Sequence, residues 1–261
     1  MLQRVISGLI ITAIFVPPVF ISDKRYLMAV GFVVILIALE EYRRIVKTPW
    51  VFFLLTPLIY LSIILFANQF PTWLNWLYLS LVGVFLTLSI YSVVKDSEVN
   101  MITHFLFLLL GLGIGSGSIV YSDIVSFTLL VYLALIVSFT DIFAFFFGLR
   151  FGKHKLAPTI SPKKSWEGSF FGTVLGSATG ITFVLLANVP ILEELSIIQL
   201  VILSLLVSIF GQIGDLFASK IKRSVGVKDF GILFPGHGGI LDRFDTLLMA
   251  GLIMALVLLL N

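Results

Sequence analysis

Four aspartates and a group of lysines and arginines in the second half of the chain are the residues whose types and spacing suit chemistry. In GHGGILDRFD (236–245), Asp242 and Asp245 stand three apart, directly before the last apolar run. If that stretch is helical, they occupy neighbouring positions on one face at a helix amino terminus, an end that favours negative charge by about 0.3–1 kcal/mol. Two close carboxylates still repel each other unless they share a cation. Asp215, in FGQIGDLFASKIKR, and Asp141, in VSFTDIFAFFFG, lie in or beside apolar runs. An ionised carboxylate there costs about 2.5–3.5 kcal/mol on insertion scales, so each demands a partner.

Two explanations compete. The aspartates could serve only as structural ion pairs with Arg243, Lys222 or Arg223. Alternatively, four acids among so many cations form a divalent-metal site facing an anion-binding surface. Carboxylates and water suit Mg²⁺, which bridges to phosphate oxygens, and neighbouring basic groups suit a polyphosphate. With no Cys, a thiolate nucleophile and a Cys-based metal centre are excluded, and only three His among 261 residues argue against a multi-histidine site.

The stretch LRFGKHKLAPTISPKKSWEG (149–168) carries the same theme. Pro158 and Pro162 keep it extended or turning, Ser161 offers a hydroxyl, and Lys163 and Lys164 are point charges able to hold phosphates. Lys153 and Lys155 fit topology and anionic headgroups instead. Ser165 and Glu167 are helix-starting residues. His237 is either a general base or a turn residue. Gly236, Gly238 and Gly239 permit positive φ and close backbone approach, so that successive amides form an anion-binding nest.

The elements that must position these residues are membrane helices. The chain is 59% hydrophobic and 12% charged, with a mean hydropathy of +1.13. Soluble domains carry roughly 25% charged residues, so polar surface is too scarce here for a water-soluble globule. Nine apolar runs approach the length needed to span about 30 Å of hydrocarbon: 5–21, 26–39, 51–67, 73–94, 101–121, 125–148, 168–189, 197–218 and 246–260. The expected fold class is therefore all-α, a polytopic membrane protein of about nine transmembrane helices forming a single membrane domain. Residues 1–121 would be scaffold, and 125–261 would carry the site. With the amino terminus cytoplasmic, all of the 17 Lys and Arg except Lys24 and Arg25 fall on the inside, as do both large polar loops. GLGIGSGS (111–118) has small residues four apart and reads as a close helix contact, inside the monomer or at a homodimer interface. It does not match a dinucleotide-binding box.

The run SKIKRSVGVKDFGILFPGHGGILDRFD (219–245) resembles the signature of the phosphatidate cytidylyltransferase family, also called CDP-diacylglycerol synthase. Ser219, Lys222, Arg223, Lys228, Asp229, Gly231, Pro235, His237, Gly238, Gly239, Asp242, Arg243 and Asp245 all stand where that pattern expects them. KLAPTISPKKSWEG resembles a region of the same family implicated in the nucleotide site. The resemblance implies the reaction of CTP with phosphatidate to give CDP-diacylglycerol and pyrophosphate, with Mg²⁺, on the cytoplasmic side of the cell's inner (cytoplasmic) membrane. Nucleic acid is not an expected partner.

Under that resemblance Asp215 and Asp242 are the first Mg²⁺ ligands, with Asp245 and Asp141 beside them or holding a second cation. Ser219, Lys222, Arg223 and Lys228 hold the triphosphate or the lipid phosphate, and Gly238 and Gly239 line it. Ser161, Lys163 and Lys164 reach the nucleotide from the other loop. Arg243 orients the flanking acids, His237 is a candidate catalytic group, and acyl chains enter sideways from the bilayer. Two alternatives stay open: a cytidylyltransferase or kinase for another lipid phosphate or polyprenol, and a secondary transporter of an anionic substrate. A transporter would show its acids in corresponding positions of two halves, whereas here they crowd into one.

Overall fold

The computed structural model describes Pro17 and residues 24–66, 72–95, 101–187, 189–234 and 238–258. Along them run α1 (Arg25–Val46), α2 (Phe52–Phe66), α3 (Thr72–Lys95), α4 (Met101–Leu106), a π-helical stretch (Phe107–Gly115), α5 (Ser116–Val125) and α6 (Phe127–Phe151). A two-stranded hairpin follows, β1 (Lys155–Ala157) and β2 (Ser161–Ser165), then α7 (Trp166–Leu186), the short α8 (Pro190–Glu193), α9 (Ile197–Ser224) and α10 (Leu241–Leu258). Four helical segments, Leu74–Val94, Phe127–Phe151, Trp166–Leu186 and Ile197–Ser224, are long and apolar enough to cross a bilayer, and Phe52–Leu65 and Phe107–Ser122 are shorter apolar helices. This is an all-α, multi-pass membrane protein. The first expected run, 5–21, lies outside the described residues apart from Pro17.

Two of the helices that outlast their apolar runs end in turns carrying charged residues. Helix α1 continues through EEYRR, where Glu40 pairs with Arg43 and Arg44, three and four residues on, each at 2.9 Å. Helix α9 continues past 218 to Ser224, where Lys222 and Arg223 in the last turn complement the negative helix end. Its start is fixed by a capping box, in which Ser196 accepts from the Gln199 amide and the Gln199 side chain accepts from the Ser196 amide.

Close packing comes from glycine. On α7, Gly168, Gly172, Gly176 and Gly180 recur every four residues and form one ridge against α6; side chains there would meet Ala144, Thr140 and Ile136. The absence of Cβ atoms lets the two backbones touch. The sequence reading had passed over this ridge. The glycine run at 111–117 packs inside the monomer: Gly113 and Gly117 against Ile59 and Ile63 of α2, and Gly115 against the Leu248 backbone of α10. Hydroxyls stitch α6 and α7 to α9, through Tyr132 to Ser204 (2.8 Å), Thr140 to Ser208 (2.7 Å) and Ser169 to Gln212 (2.7 Å).

The stretch expected to be extended or turning is the hairpin, with Lys155 paired to Ser165 and Ala157 to Ser161. Its turn tucks Ala157 and Ile160 against Leu216 of α9, the residue after Asp215. Ser165 then caps α7 by accepting from the Gly168 amide. That docking decides which residues of the loop face the helices.

Candidate active site

The hairpin carries Lys164 to α9. Its ammonium lies 2.5 Å from Asp215 Oδ2, an ion pair, while Ser219 Oγ donates to Asp215 Oδ1 at 3.3 Å. Lys163, its neighbour along the strand, points outward and is exposed; Ser161 is half-buried. Lys163 and Lys164 line a cavity of about 790 Å³ together with Lys155, Asp141 and Asp215; Phe145, Leu149 and Leu156 give it an apolar wall. Lys155, read as a topology charge, is therefore part of this cavity.

A second, strongly polar cavity of about 300 Å³ lies at the junction of α6, α9 and α10. Asp141, Asp215, Asp229, Asp242 and Asp245 line it, with Lys222, Arg243 and Thr246. Asp141 and Asp215 border both cavities. Helix α10 starts at Leu241, so Asp242 and Asp245 do sit in and just after its first turn on one side.

Lys222 is the buried cation of this group. Its Nζ donates to Asp242 Oδ1 at 2.8 Å, stands 3.8 Å from Asp245 Oδ2 and lies 5.0 Å over the Phe230 ring. Asp242 Oδ2 accepts from the amides of Phe230 (2.7 Å) and Gly239 (2.9 Å). Asp245 Oδ1 accepts from the Thr246 amide at 2.8 Å. Both structural and chemical explanations of the acids thus find residues here: Lys222 is the ion-pair partner, whereas Arg223 and Arg243 are exposed and Arg223 donates to the Val227 carbonyl instead. Lys228 and Asp229 are exposed. His237 and Gly236 lie outside the described residues.

The glycine loop is ordered by the protein's own acids. Gly238 has φ +79°, as the positive-φ expectation required, and a side chain there would meet the Asp242 carboxylate. Of the amides expected to cradle a ligand's anion, that of Gly239 is taken by Asp242, and the two that follow, of Ile240 and Leu241, are taken by Glu41, at 3.0 Å to one oxygen each. These amides face the core, next to α1. Glu41 is the residue that sequence reasoning missed; the signal available was a pair of adjacent acids closing an apolar run. The pair divides its labour. Arg43 and Arg44 hold the exposed Glu40 carboxyl down at about 2, whereas burial pushes Glu41 up against the opposing pull of the Leu241 and Ile240 amides. Next to it Tyr42, fully buried, stacks on Phe107 and Phe230.

A hard cation is the metal this donor set suits, since the cavity offers carboxylate and hydroxyl oxygens. Among the described residues no three acids are grouped closely enough to hold an ion by themselves. Mg²⁺ does not require such a cage, since it is usually bound through one or two carboxylates plus substrate phosphates.

Compared with known proteins, the chain matches the cytidylyltransferase family over residues 2–260. The phosphatidate cytidylyltransferase of Staphylococcus haemolyticus is 33% identical over 253 residues, 93% of each chain. That of Bacillus subtilis is 45% identical over 121 residues, 46% of this chain and 44% of the relative. That of Haemophilus influenzae is 42% identical over 122 residues, covering 47% and 42%.

Proposed function

Because the chain belongs to the cytidylyltransferase family, we infer that its two adjoining cavities are where CTP and phosphatidate meet. The protein is a nucleotidyltransferase: it transfers the cytidylyl group of CTP to phosphatidate, giving CDP-diacylglycerol and pyrophosphate. The observation that supports the placement is that a lysine-lined cavity with an apolar wall and an acid-lined cavity share Asp141 and Asp215.

The chemistry asks for positioning and charge neutralisation more than for a base. An oxygen of the phosphatidate phosphate, already anionic, forms a bond to the α-phosphorus of CTP; the bond from that phosphorus to the β-phosphate oxygen breaks, and pyrophosphate departs with the electron pair. No proton has to be removed from the nucleophile. Two anions must be brought together in line, and the leaving group gains charge.

Lys164 and Lys222 are suited to this as exchangeable partners. In the protein as it stands, each neutralises an acid, Asp215 and Asp242 respectively. An arriving phosphate would give each ammonium a new partner and free the carboxylates of Asp215 and Asp242, which would hold Mg²⁺, with Asp245 and Asp141 alongside for a second cation. Mg²⁺ bound there supplies neutralisation of the phosphate oxygens. Lys163 and Ser161 extend the basic wall towards the nucleotide, while Lys228, Arg223 and Ser219 serve the phosphate at the mouth of the acidic cavity. Phe145, Leu149 and Leu156 suit an acyl chain arriving from the bilayer. We assign the amino terminus and both cavities to the cytoplasmic side of the inner membrane, supported by the lysine and arginine bias.

The test is pyrophosphate release by purified protein in detergent with CTP, Mg²⁺ and phosphatidate, each omitted in turn. Release is expected only with all three. Release with a different lipid phosphate and not with phosphatidate would move the substrate and keep the site. No release with any lipid phosphate would favour an anion transporter.

A further inference from the structure

We propose that Glu41, on the amino-terminal helix α1, is a positioning residue for the cytidylyl transfer, holding the loop that aims Asp242. The proposal rests on the transferase reading above. Glu41 Oε1 accepts from the Ile240 amide and Oε2 from the Leu241 amide, both at 3.0 Å, across some 200 residues of sequence. The next residue along the chain is Asp242, whose Oδ2 takes the amides of Gly239 and Phe230. Two carboxylates from opposite ends of the chain thereby divide the amides at 239, 240 and 241. Each must be in place for the other to find its donors.

The fit is enforced from both sides. Glu41 is 8% exposed, and a side chain at Gly231 or Gly239 would strike its carboxylate. Tyr42 stacks on Phe230 at 5.8 Å, gripping the other arm of the loop, whose amide also feeds Asp242. A purely structural cap is the competing explanation. Helix α10 does not depend on Glu41 to stay docked, because Leu241, Leu248, Met249, Leu252 and Ile253 are buried against the core. The function left for Glu41 is therefore to fix where α10 begins, which sets the direction of the Asp242 side chain.

Full-length Glu41→Gln and Glu41→Ala proteins, with Glu40→Gln as the exposed neighbour, test this in detergent. A glutamine accepts one amide and turns its NH₂ on the other; alanine accepts neither. Expected are losses in kcat of about tenfold for Glu41→Gln and about 100-fold for Glu41→Ala, the scale of an ångström-sized misplacement. KM for CTP and phosphatidate should stay within about twofold. The unfolding temperature should fall only modestly, with the protein still cooperatively folded, and faster amide exchange should be confined to residues 238–245. Glu40→Gln should behave as the parent protein. A kcat within about twofold of the parent in Glu41→Ala overturns the proposal. Loss of folded protein in both Glu41 variants overturns it too, since that makes Glu41 a folding residue. A parent protein that releases no pyrophosphate refutes the transferase reading instead, an outcome distinct from active parent and active variants.

Discussion

At the scale of single residues, the acids and lysines around the two cavities are a set of charges that satisfy one another. Asp242 shows this most sharply, with a side chain 3% exposed, one oxygen on Lys222 and the other on two amides. Asp242→Asn keeps the volume and removes both the charge and one acceptor face. Turnover is expected to fall by at least about 100-fold, on the order of losing a main electrostatic contact in the transition state. The fold should survive, because Lys222 keeps Asp245 at 3.8 Å and is not left as an isolated buried charge. Initial rates together with thermal unfolding check both halves, and unimpaired turnover would sink the metal assignment.

At the scale of elements, the glycine ridge of α7 sets how closely α6 approaches and so where Asp141 stands relative to Asp215. A side chain at Gly176 would run into Thr140, which bonds Ser208 of α9 at 2.7 Å. Gly176→Leu is expected to cost about 1–3 kcal/mol of stability as overpacking. Activity should fall further than stability, because α6 is pushed off both α7 and α9. Val174, 43% exposed on the outward face of α7, is the matched control. Val174→Leu should change stability by less than about 0.5 kcal/mol and leave turnover intact. Equal effects at the two positions would show that the ridge is ordinary packing.

For the whole molecule, the amino-terminal helices do more than scaffold the carboxy-terminal ones. Glu41 and Tyr42 reach the loop before α10, and the π-helical stretch packs its Gly115 on the α10 backbone. Orientation is open to direct measurement because the chain contains no Cys. Single cysteines at the exposed Lys153 and Lys228 are expected to react with a membrane-impermeant thiol reagent only when the cytoplasmic side is accessible, and one at the exposed Glu194 only from the other side. Labelling of 153 and 194 from the same side would overturn the assigned topology.

The sequence by itself determined the solvent, the class and the chemistry. Too few charges for a water-soluble surface meant a bilayer, and runs of Leu, Phe and Ile bounded by Lys and Arg marked the helices. Asp215, Asp242, Lys222 and the SPKKSWEG loop were legible because acids and cations are rare in such a chain. Their partners were not. That Lys164, and not Lys163, meets Asp215 depends on a hairpin anchored through Ala157 and Ile160 on Leu216. That the amides after Gly238 serve Asp242 and Glu41 depends on a contact between residues some 200 apart. The tertiary structure decided these points for a physical reason: a hydrogen bond is made or missed over tenths of an ångström, and periodicity along the chain says which face a residue occupies but not which distant helix is packed against it.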